Sequence, residues 1–206
     1  MSTARPSAPG PPPEPPPDLT ARRLTVHTLT PGTELFRVHP LRHAHAPLYF
    51  GRGSVGRFNA PNAEFGTLYA ALDPYAAFLE TFARDPGVRL VSALTLTENV
   101  LVRLDVKAPL ALVDLSGASL LRVGADTRVV SGDYQVAQRW ALALWQHPQM
   151  PDGLYWRSRF DDNRYCVALF DRAKASLDPV ILGAWDSADR VSLLAAILDA
   201  YGFGLA

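Results

Sequence analysis

The sequence predicts an α+β domain, in which a mixed or antiparallel sheet is flanked by helices. Segments with strand-like patterns outnumber helical segments, and the two kinds do not alternate regularly as they do in doubly wound parallel sheets. The 206 residues are enough for one domain with a well-buried core, and a hydrophobic content of 48% is ordinary for a globular protein.

The N-terminal segment differs in composition from the rest of the chain. Residues 1–23 are rich in proline, which lacks a backbone donor, and they carry few apolar side chains to bury. We therefore expect a disordered or polyproline II tail here, followed by a single domain over residues 24–206. The one cysteine of the chain, Cys166, lies in an apolar run and is predicted to be a buried core thiol.

The first half of the domain is predicted to hold two strands and a helix. Residues 34–39 and 67–72 have strand-like patterns, and the loop of residues 51–61 between them is punctuated by glycines. An Asp-Pro pair at position 73 marks a helix start, because aspartate accepts hydrogen bonds as an N-cap and proline fits the first turn. This helix is expected to run to about Arg84.

The second half is predicted to add more strands and two helices. The strands are expected at residues 90–96, 100–106, 110–114, 153–156 and 165–170. A helix is expected over residues 134–147, before a proline. A last helix would be capped by Asp186 or Ser187, with an apolar stripe formed by Val191, Leu194, Ala195 and Leu198. That stripe would pack either on the core or on a second subunit of a homodimer.

Composition and missing motifs exclude several functions. The net charge is zero, so the chain as a whole does not attract nucleic acid or an anionic membrane. No run approaches the ~20 apolar residues of a membrane span, and the N-terminus lacks a signal-peptide core, so we expect a cytoplasmic protein. His43 and His45 have no acid or cysteine at ligand spacing, and no metal site is expected.

Two residues stand out as carriers of chemistry. Arg57 lies in the glycine-rich loop, where the backbone can approach a ligand and an arginine fork suits a pyrophosphate. Glu80 is the one acid in the interior of the predicted helix, on a face of small residues. A solvated turn arginine and a helix-surface acid are the alternative interpretations of the same two residues.

Six short motifs, in their order and spacing, resemble the RES domain family from about Leu35 to Phe170, which is most of the folded chain. They are Leu35-Phe36-Arg37-Val38, Val55-Gly56-Arg57-Phe58-Asn59-Ala60-Pro61, Leu68-Tyr69-Ala70, Ala77-Phe78-Leu79-Glu80, Asp152-Gly153-Leu154-Tyr155-Trp156-Arg157-Ser158 and Cys166-Val167-Ala168-Leu169-Phe170. The usual loop of the family reads Gly-Gly-Arg-Trp-Asn-Pro. Here Val55 and Phe58 replace its first glycine and its tryptophan, and Ala60 precedes the proline; Phe58 is expected to keep a stacking surface.

The resemblance implies a core similar to that of ADP-ribosyltransferases, with NAD as the substrate in a cleft between sheet segments. Glu80, Arg57 and Ser158 would be the catalytic residues. NAD would be held by Arg37, Arg57, Tyr69, Asn59 and Arg52, with Tyr134 and Gln138 also lining the site.

The resemblance also implies a biological setting. RES proteins are mostly bacterial toxins that are paired with an Xre-type antitoxin, and they degrade NAD by hydrolysis or phosphorolysis. Two alternatives remain open: transfer of ADP-ribose to a protein, and NAD binding by a regulator without catalysis. The acceptor of the ADP-ribose is not predicted, because water, phosphate and protein make similar demands on the nicotinamide side of the site.

Overall fold

The computed structural model describes residues 10–53, 55–85 and 87–206, and an eight-stranded mixed sheet dominates it. The strands of this sheet are β1 (Val26–Leu29), β2 (Glu34–Pro40), β3 (Thr67–Ala71), β5 (Asn99–Val106), β6 (Leu110–Asp114), β7 (Gly153–Arg157), β8 (Tyr165–Phe170) and β9 (Leu177–Ala184). They lie in the order β1-β6-β7-β8-β3-β2-β5-β9. Among the described strand pairs of this sheet, only β6 and β7 run parallel.

Six helices and a small second sheet flank these strands in the described part of the chain. The helices are α1 (Pro74–Phe82), α2 (Ala93–Thr97), α3 (Gly117–Val123), α4 (Arg128–Ser131), α5 (Tyr134–Trp145) and α6 (Val191–Tyr201). Strands β4 (Leu90–Val91) and β10 (Gly204–Leu205) pair in parallel. The predicted α+β class with a mixed sheet is thus confirmed. No helix among the described residues is long and apolar enough to cross a membrane.

Both faces of the sheet are covered. Successive side chains of a strand point to opposite faces, and apolar side chains on both faces have to be buried. In β8, Cys166 and Ala168 face a core cluster that includes Trp140 of α5, whereas Val167 and Leu169 face a second cluster that includes Leu104. The cavity described below opens on the first of these faces.

The sheet opens between two of its central strands. β2 pairs with β5 along its whole length, and β3 pairs with β8 along its whole length. β2 and β3, in contrast, share a single paired position, Phe36 with Ala71. Beyond that position the two strands diverge, and α1 packs across both of them. The divergence creates a cleft in the middle of the sheet.

Two predicted elements are wrong in position. Residues 90–96 are not one strand, because Ser92 accepts a hydrogen bond from the Thr95 amide at 3.4 Å and so begins α2 after the short β4. The last helix begins after Arg190 and not at Asp186 or Ser187, since the Ser187 hydroxyl donates instead to the Ala184 carbonyl at 2.9 Å.

The buried face of α6 also differs from the predicted stripe. Leu194 and Ile197 are buried in a cluster with Trp185, whereas Val191 and Ala195 are exposed. The helix therefore packs on the core of its own chain. Strand β9 was not predicted, because Pro179 interrupts its pattern; the strand lies at the edge of the sheet, where a missing donor is tolerated.

The N-terminal segment differs from the expected disordered tail over residues 10–23. Leu19 begins a 3-10 turn and is 3% exposed, and the Trp140 indole donates a hydrogen bond of 2.7 Å to the Pro13 carbonyl. The composition of the segment hides this packing, because it depends on proline carbonyls as acceptors and on a single leucine. Residues 1–9 of the predicted tail lie outside the described residues.

Candidate functional site

A cavity of about 390 Å³ lies in the cleft between β2 and β3, beside α1. This volume falls within the range of about 300–1,000 Å³ that is common for small-molecule sites. Among the described residues, one acid and four arginines line it: Glu80, with Arg37, Arg57, Arg84 and Arg159. The remaining lining residues are Phe36, Val38, Val55, Gly56, Tyr69, Ala70, Ala71, Ala77, Thr81, Val130, Tyr134, Trp156 and Cys166.

Glu80 reaches the cavity because α1 has a well-formed N-cap and packs closely on the sheet. Asp73 accepts a hydrogen bond from the Ala76 amide at 2.9 Å, as the sequence predicted for the N-cap. Ala77 lies one turn before Glu80 on the same face and is buried. Its small side chain brings the helix close to the sheet, which places the Glu80 carboxylate at the cleft.

One oxygen of the Glu80 carboxylate is held by neighbouring side chains. The Ser158 hydroxyl donates to Oε1 at 2.8 Å, and the Cys166 thiol approaches the same oxygen at 3.6 Å. Ser158 is itself 2% exposed, and its Oγ accepts a hydrogen bond from the Phe160 amide at 3.2 Å. These contacts fix the carboxylate through Oε1 and do not involve its second oxygen.

Cys166 is a buried thiol, as predicted, but it also lines the cavity. Burial is the main cause that raises the pKa of this thiol, and the neighbouring Glu80 carboxylate raises it further. The thiol therefore stays protonated at neutral pH. Because the thiolate is the nucleophilic form of cysteine, Cys166 is a neighbour of Glu80 and not an attacking group.

Arg57 is anchored on the far side of the cavity by the turn between α4 and α5. Its Nη1 donates a hydrogen bond of 2.6 Å to the Gly132 carbonyl, and its guanidinium lies 4.3 Å from the centre of the Tyr134 ring. Burial lowers the pKa of Arg57, yet a guanidinium remains charged in a protein at neutral pH. No carboxylate pairs with it among the described residues.

The loop that carries Arg57 is fixed by Tyr69 and Asn59. The Tyr69 hydroxyl accepts a hydrogen bond from the Phe58 amide at 2.7 Å and donates one to Asn59 Oδ1 at 2.9 Å. Gly56 packs so closely on this pair that a Cβ there would lie 2.3 Å from Asn59 Oδ1 and 2.6 Å from the Tyr69 hydroxyl. Gln138 of α5 donates to the Gly56 carbonyl at 3.0 Å. The loop thus has a defined conformation before any ligand binds.

Arg37 is a second cation of the cavity without a carboxylate partner in the described part of the chain. Its Nη1 donates to the Pro47 carbonyl at 3.1 Å, and its buried Nε has no hydrogen-bond partner there. Burial lowers the pKa of Arg37 to about 10, which leaves the side chain protonated at neutral pH. An uncompensated cation at a cavity wall favours an anionic ligand, because the charge of the ligand offsets the free energy that the cation loses when it is removed from water.

Five of the predicted site residues line the cavity, whereas Ser158, Asn59, Arg52 and Gln138 do not. Glu80, Arg57, Arg37 and Tyr69 line it, as do Tyr134 and Cys166. Ser158 lies behind Glu80 and contacts it directly. Asn59 supports the loop: it is 7% exposed, and it also donates to the Gly53 carbonyl.

Arg52 lies away from the cavity and forms an ion pair of 2.6 Å with Asp171. Because Arg52 is paired with Asp171 in this way, its charge is not available to a ligand in the cavity. Phe58 likewise does not offer a stacking surface to a ligand, because its side chain is fully buried and packs edge-on against Trp156 with ring centres 4.9 Å apart.

Two cations that line the cavity, Arg84 and Arg159, were not predicted from the sequence. Arg84 follows Glu80 by four residues, so helical spacing could have placed it on the same face as the acid. Arg159 follows Ser158 directly, but the loop after β7 carries no pattern that predicts its direction. Within the described residues, no group of three or more metal-ligating side chains exists.

Comparison with known proteins gives one family model, one relative and one solved structure that resemble this chain. Residues 34–189, well over half of the chain, match the family model described as RES domain. A protein of Sinorhizobium fredii named probable toxin y4kH is 33% identical over 75 residues, which cover 36% of this chain and 58% of that protein. The match therefore spans less than two thirds of this relative.

A solved structure matches most of the chain. It is a chain of the M. tuberculosis MbcT–MbcA toxin–antitoxin complex, with a TM-score of 0.60 and 18% identity over 87% of this chain and 98% of that chain. At this identity the likeness concerns the fold, and it agrees with the α+β architecture that the pattern of strands and helices predicted.

Proposed function

The chain belongs to the RES domain family, and from this premise we propose that it is a toxin that cleaves the nicotinamide–ribose bond of NAD in the cavity between β2 and β3. One observation carries the proposal: among the described residues a single carboxylate, Glu80, shares a partly buried cleft with four arginines. This arrangement suits a ligand that is anionic at one end and becomes cationic at another during reaction. NAD has both properties.

The cleavage of this bond determines which charge Glu80 has to stabilise. When the C–N bond between nicotinamide and ribose breaks, both electrons of the bond go to the ring nitrogen, and nicotinamide leaves as a neutral molecule. Positive charge then develops on the anomeric carbon of the ribose. A fixed carboxylate next to this carbon stabilises the charge as it develops, and its free oxygen can also accept a hydrogen bond from a ribose hydroxyl. An acceptor oxygen then bonds to the anomeric carbon and releases a proton.

The arginines would hold the pyrophosphate. Arg57 and Arg37 have neutral carbonyls as partners and no carboxylates in the described part of the chain, so their charges are available to phosphate oxygens. Arginine forks bind such oxygens in pairs, and the low dielectric of a partly buried cleft strengthens each contact. The grip would orient the cofactor so that the ribose lies at Glu80.

Ser158 and Tyr69 would act from the two sides of the ribose. Ser158 holds Glu80 Oε1 and so keeps the carboxylate in the orientation that the reaction needs. The Tyr69 hydroxyl is engaged with Asn59 and with the Phe58 amide, so its ring and not its hydroxyl is the part that faces a ligand. A nicotinamide ring could stack on such a face.

An antitoxin partner is part of this proposal. The matched relatives are named as a probable toxin and as part of a toxin–antitoxin complex, and the family resemblance implies an Xre-type antitoxin. We extend that pairing to this chain. The partner would protect the cell that makes the protein.

The test is incubation of the purified protein with NAD, with and without phosphate, with the products identified by mass. We expect nicotinamide release, with ADP-ribose as product in water and ADP-ribose 1″-phosphate when phosphate is the acceptor. Glu80→Gln should lower the rate by about 100-fold or more, which is the typical cost of removing one fixed transition-state group. Glu98→Gln, an exposed acid of the same type, should change nothing.

Two results would favour a different function. Transfer of label from adenine-labelled NAD to a protein would favour the protein ADP-ribosyltransferase of the same family. Binding of NAD without any release of nicotinamide, in wild type as in Glu80→Gln, would favour a regulator without catalysis.

A further inference from the structure

The proline-rich segment of residues 10–16 lies against the helical elements that anchor Arg57. The Trp140 indole donates to the Pro13 carbonyl at 2.7 Å, and Arg128 donates to the carbonyls of Gly10 and Pro11. We call residues 10–16 the strap. The strap thus contacts α4 through Arg128 and α5 through Trp140.

The chemistry of the strap matches general recognition of proline-rich chains. Proline residues have no backbone donor but keep strong carbonyl acceptors, and their fixed φ leaves little entropy to lose when the chain docks. Indole N–H groups and arginines beside an apolar surface are the donors that such carbonyls need. Glu14 adds a two-bond ion pair with Arg139, with distances of 2.5 and 2.7 Å. The strap is therefore bound within its own chain in the way that other proteins bind a proline-rich peptide.

The strap and Arg57 meet at one residue, Gly132, in the turn between α4 and α5. The Gly132 carbonyl accepts the Arg57 hydrogen bond of 2.6 Å, and a Cβ on Gly132 would lie 3.3 Å from Pro12 Cγ. Such a Cβ would also lie 2.6 Å from the Arg128 carbonyl oxygen. The backbone of Gly132 is thus enclosed between the strap on one side and Arg57 on the other.

We propose that the strap is a positioning element of the binding site: by holding the turn at Gly132, it sets the direction of the Arg57 guanidinium in the cavity. The anchor of Arg57 is a backbone carbonyl, so its position depends on the path of the turn and not on a side chain. Tyr134, whose ring lies under the guanidinium, begins the helix directly after the same turn. The role assigned to the strap rests on the proposed function, in which Arg57 grips an anionic ligand.

The test replaces Pro11, Pro12 and Pro13 together with glycine in the full chain. This change keeps every carbonyl acceptor but removes the preference for the docked conformation. We expect faster amide hydrogen exchange in residues 128–136 and a dissociation constant for NAD that rises by about 3- to 10-fold, as loss of about one net hydrogen bond implies. The matched alanine variant, which keeps a Cβ and a stronger bias to extended backbone, should recover part of both effects.

The control is Pro109→Gly, an exposed proline in the turn between β5 and β6. It should leave both the exchange of residues 128–136 and the affinity for NAD unchanged. A merely stabilising strap would lower the melting temperature without changing the affinity for NAD of the folded protein, and that result would overturn the proposal. Unchanged exchange in residues 128–136 would overturn it as well.

The two proposals fail in different ways. Hydrogen exchange reports on the contact between strap and turn whether or not NAD is a ligand. If wild-type protein neither binds nor cleaves NAD, the proposed function fails and with it the role of the strap toward NAD. If wild type binds NAD and the glycine variant binds it equally well, only the strap proposal fails.

Discussion

Ser158 donates a hydrogen bond of 2.8 Å to the carboxylate of Glu80 and is itself nearly excluded from solvent. The two residues are 78 positions apart in the chain, on the helix α1 and at the end of strand β7. Because Ser158 is buried and does not line the cavity, its described contact is with the acid. The pairing gives Ser158 a role that can be tested separately from that of Glu80.

Ser158→Ala should lower the rate of NAD cleavage by about 10-fold while Glu80→Gln lowers it by about 100-fold. The alanine removes one donor to Oε1, so the carboxylate keeps its charge but loses part of its fixed orientation. Single-turnover assays of nicotinamide release would measure both rates. Ser192→Ala, an exposed serine on α6, is the matched control. Equal losses in the serine and glutamate variants would contradict a supporting role for Ser158.

Arg57→Lys should raise the KM for NAD by about 10-fold or more and change kcat less. Lysine keeps the charge, but it loses the planar fork that donates to Gly132 and stacks on Tyr134. Arg52→Lys is the control from the same loop, because Arg52 pairs with Asp171 outside the cavity. Steady-state kinetics of both variants would test this prediction. An equal rise in KM for the two variants would contradict a role for Arg57 in binding the pyrophosphate.

Gly56→Ala should destabilise the protein by about 1–3 kcal/mol, because the added methyl group overlaps Asn59 and the Tyr69 hydroxyl. Gly53→Ala is the matched control, since a Cβ there has nothing within 4 Å. Thermal unfolding monitored by circular dichroism would compare the two. A Gly56 variant as stable as the control would show that the loop adjusts more freely than its contacts indicate.

The pH dependence of stability should carry a signature of Cys166. Burial and Glu80 raise the pKa of this thiol in the folded state above the value of about 8.5 that it has in an unfolded chain. Above that pH the unfolded state loses its proton first, so the unfolded state binds fewer protons and the free energy of unfolding falls as pH rises.

Urea unfolding between pH 7.5 and 10 would measure this slope. We expect the fall to be smaller in Cys166→Ala, which has no thiol to titrate, than in wild type. Equal slopes in the two proteins would mean that the thiol is not held protonated by its surroundings.

The sequence predicted the elements of the site better than its shape. Glu80, Arg57 and the cap at Asp73 follow from local patterns: an isolated acid on a helix, an arginine among glycines, and an Asp-Pro pair. Arg159 could not be found in this way, because its position depends on a loop whose direction is set by tertiary contacts. The same holds for Asn59, which a motif placed at the ligand and which the fold uses to support the loop.

The N-terminal segment shows a second limit of composition. A stretch of prolines with little apolar surface predicts disorder when hydrophobic burial is the criterion. The strap docks in a different way, in which Trp140 and Arg128 donate hydrogen bonds to the carbonyls of Pro13 and Pro11. Such donors lie more than a hundred residues away, and no local pattern connects them with the prolines.

The single paired position between β2 and β3 has a mechanical consequence. The eight strands form two half-sheets, one of five strands from β1 to β3 and one of three strands from β2 to β9, joined by Phe36 with Ala71 and by α1 across them. A ligand in the cleft would touch both halves and act as a brace between them. We therefore expect a substrate that is not turned over, such as NAD with Glu80→Gln, to raise Tm and to slow hydrogen exchange on both inner strand edges together.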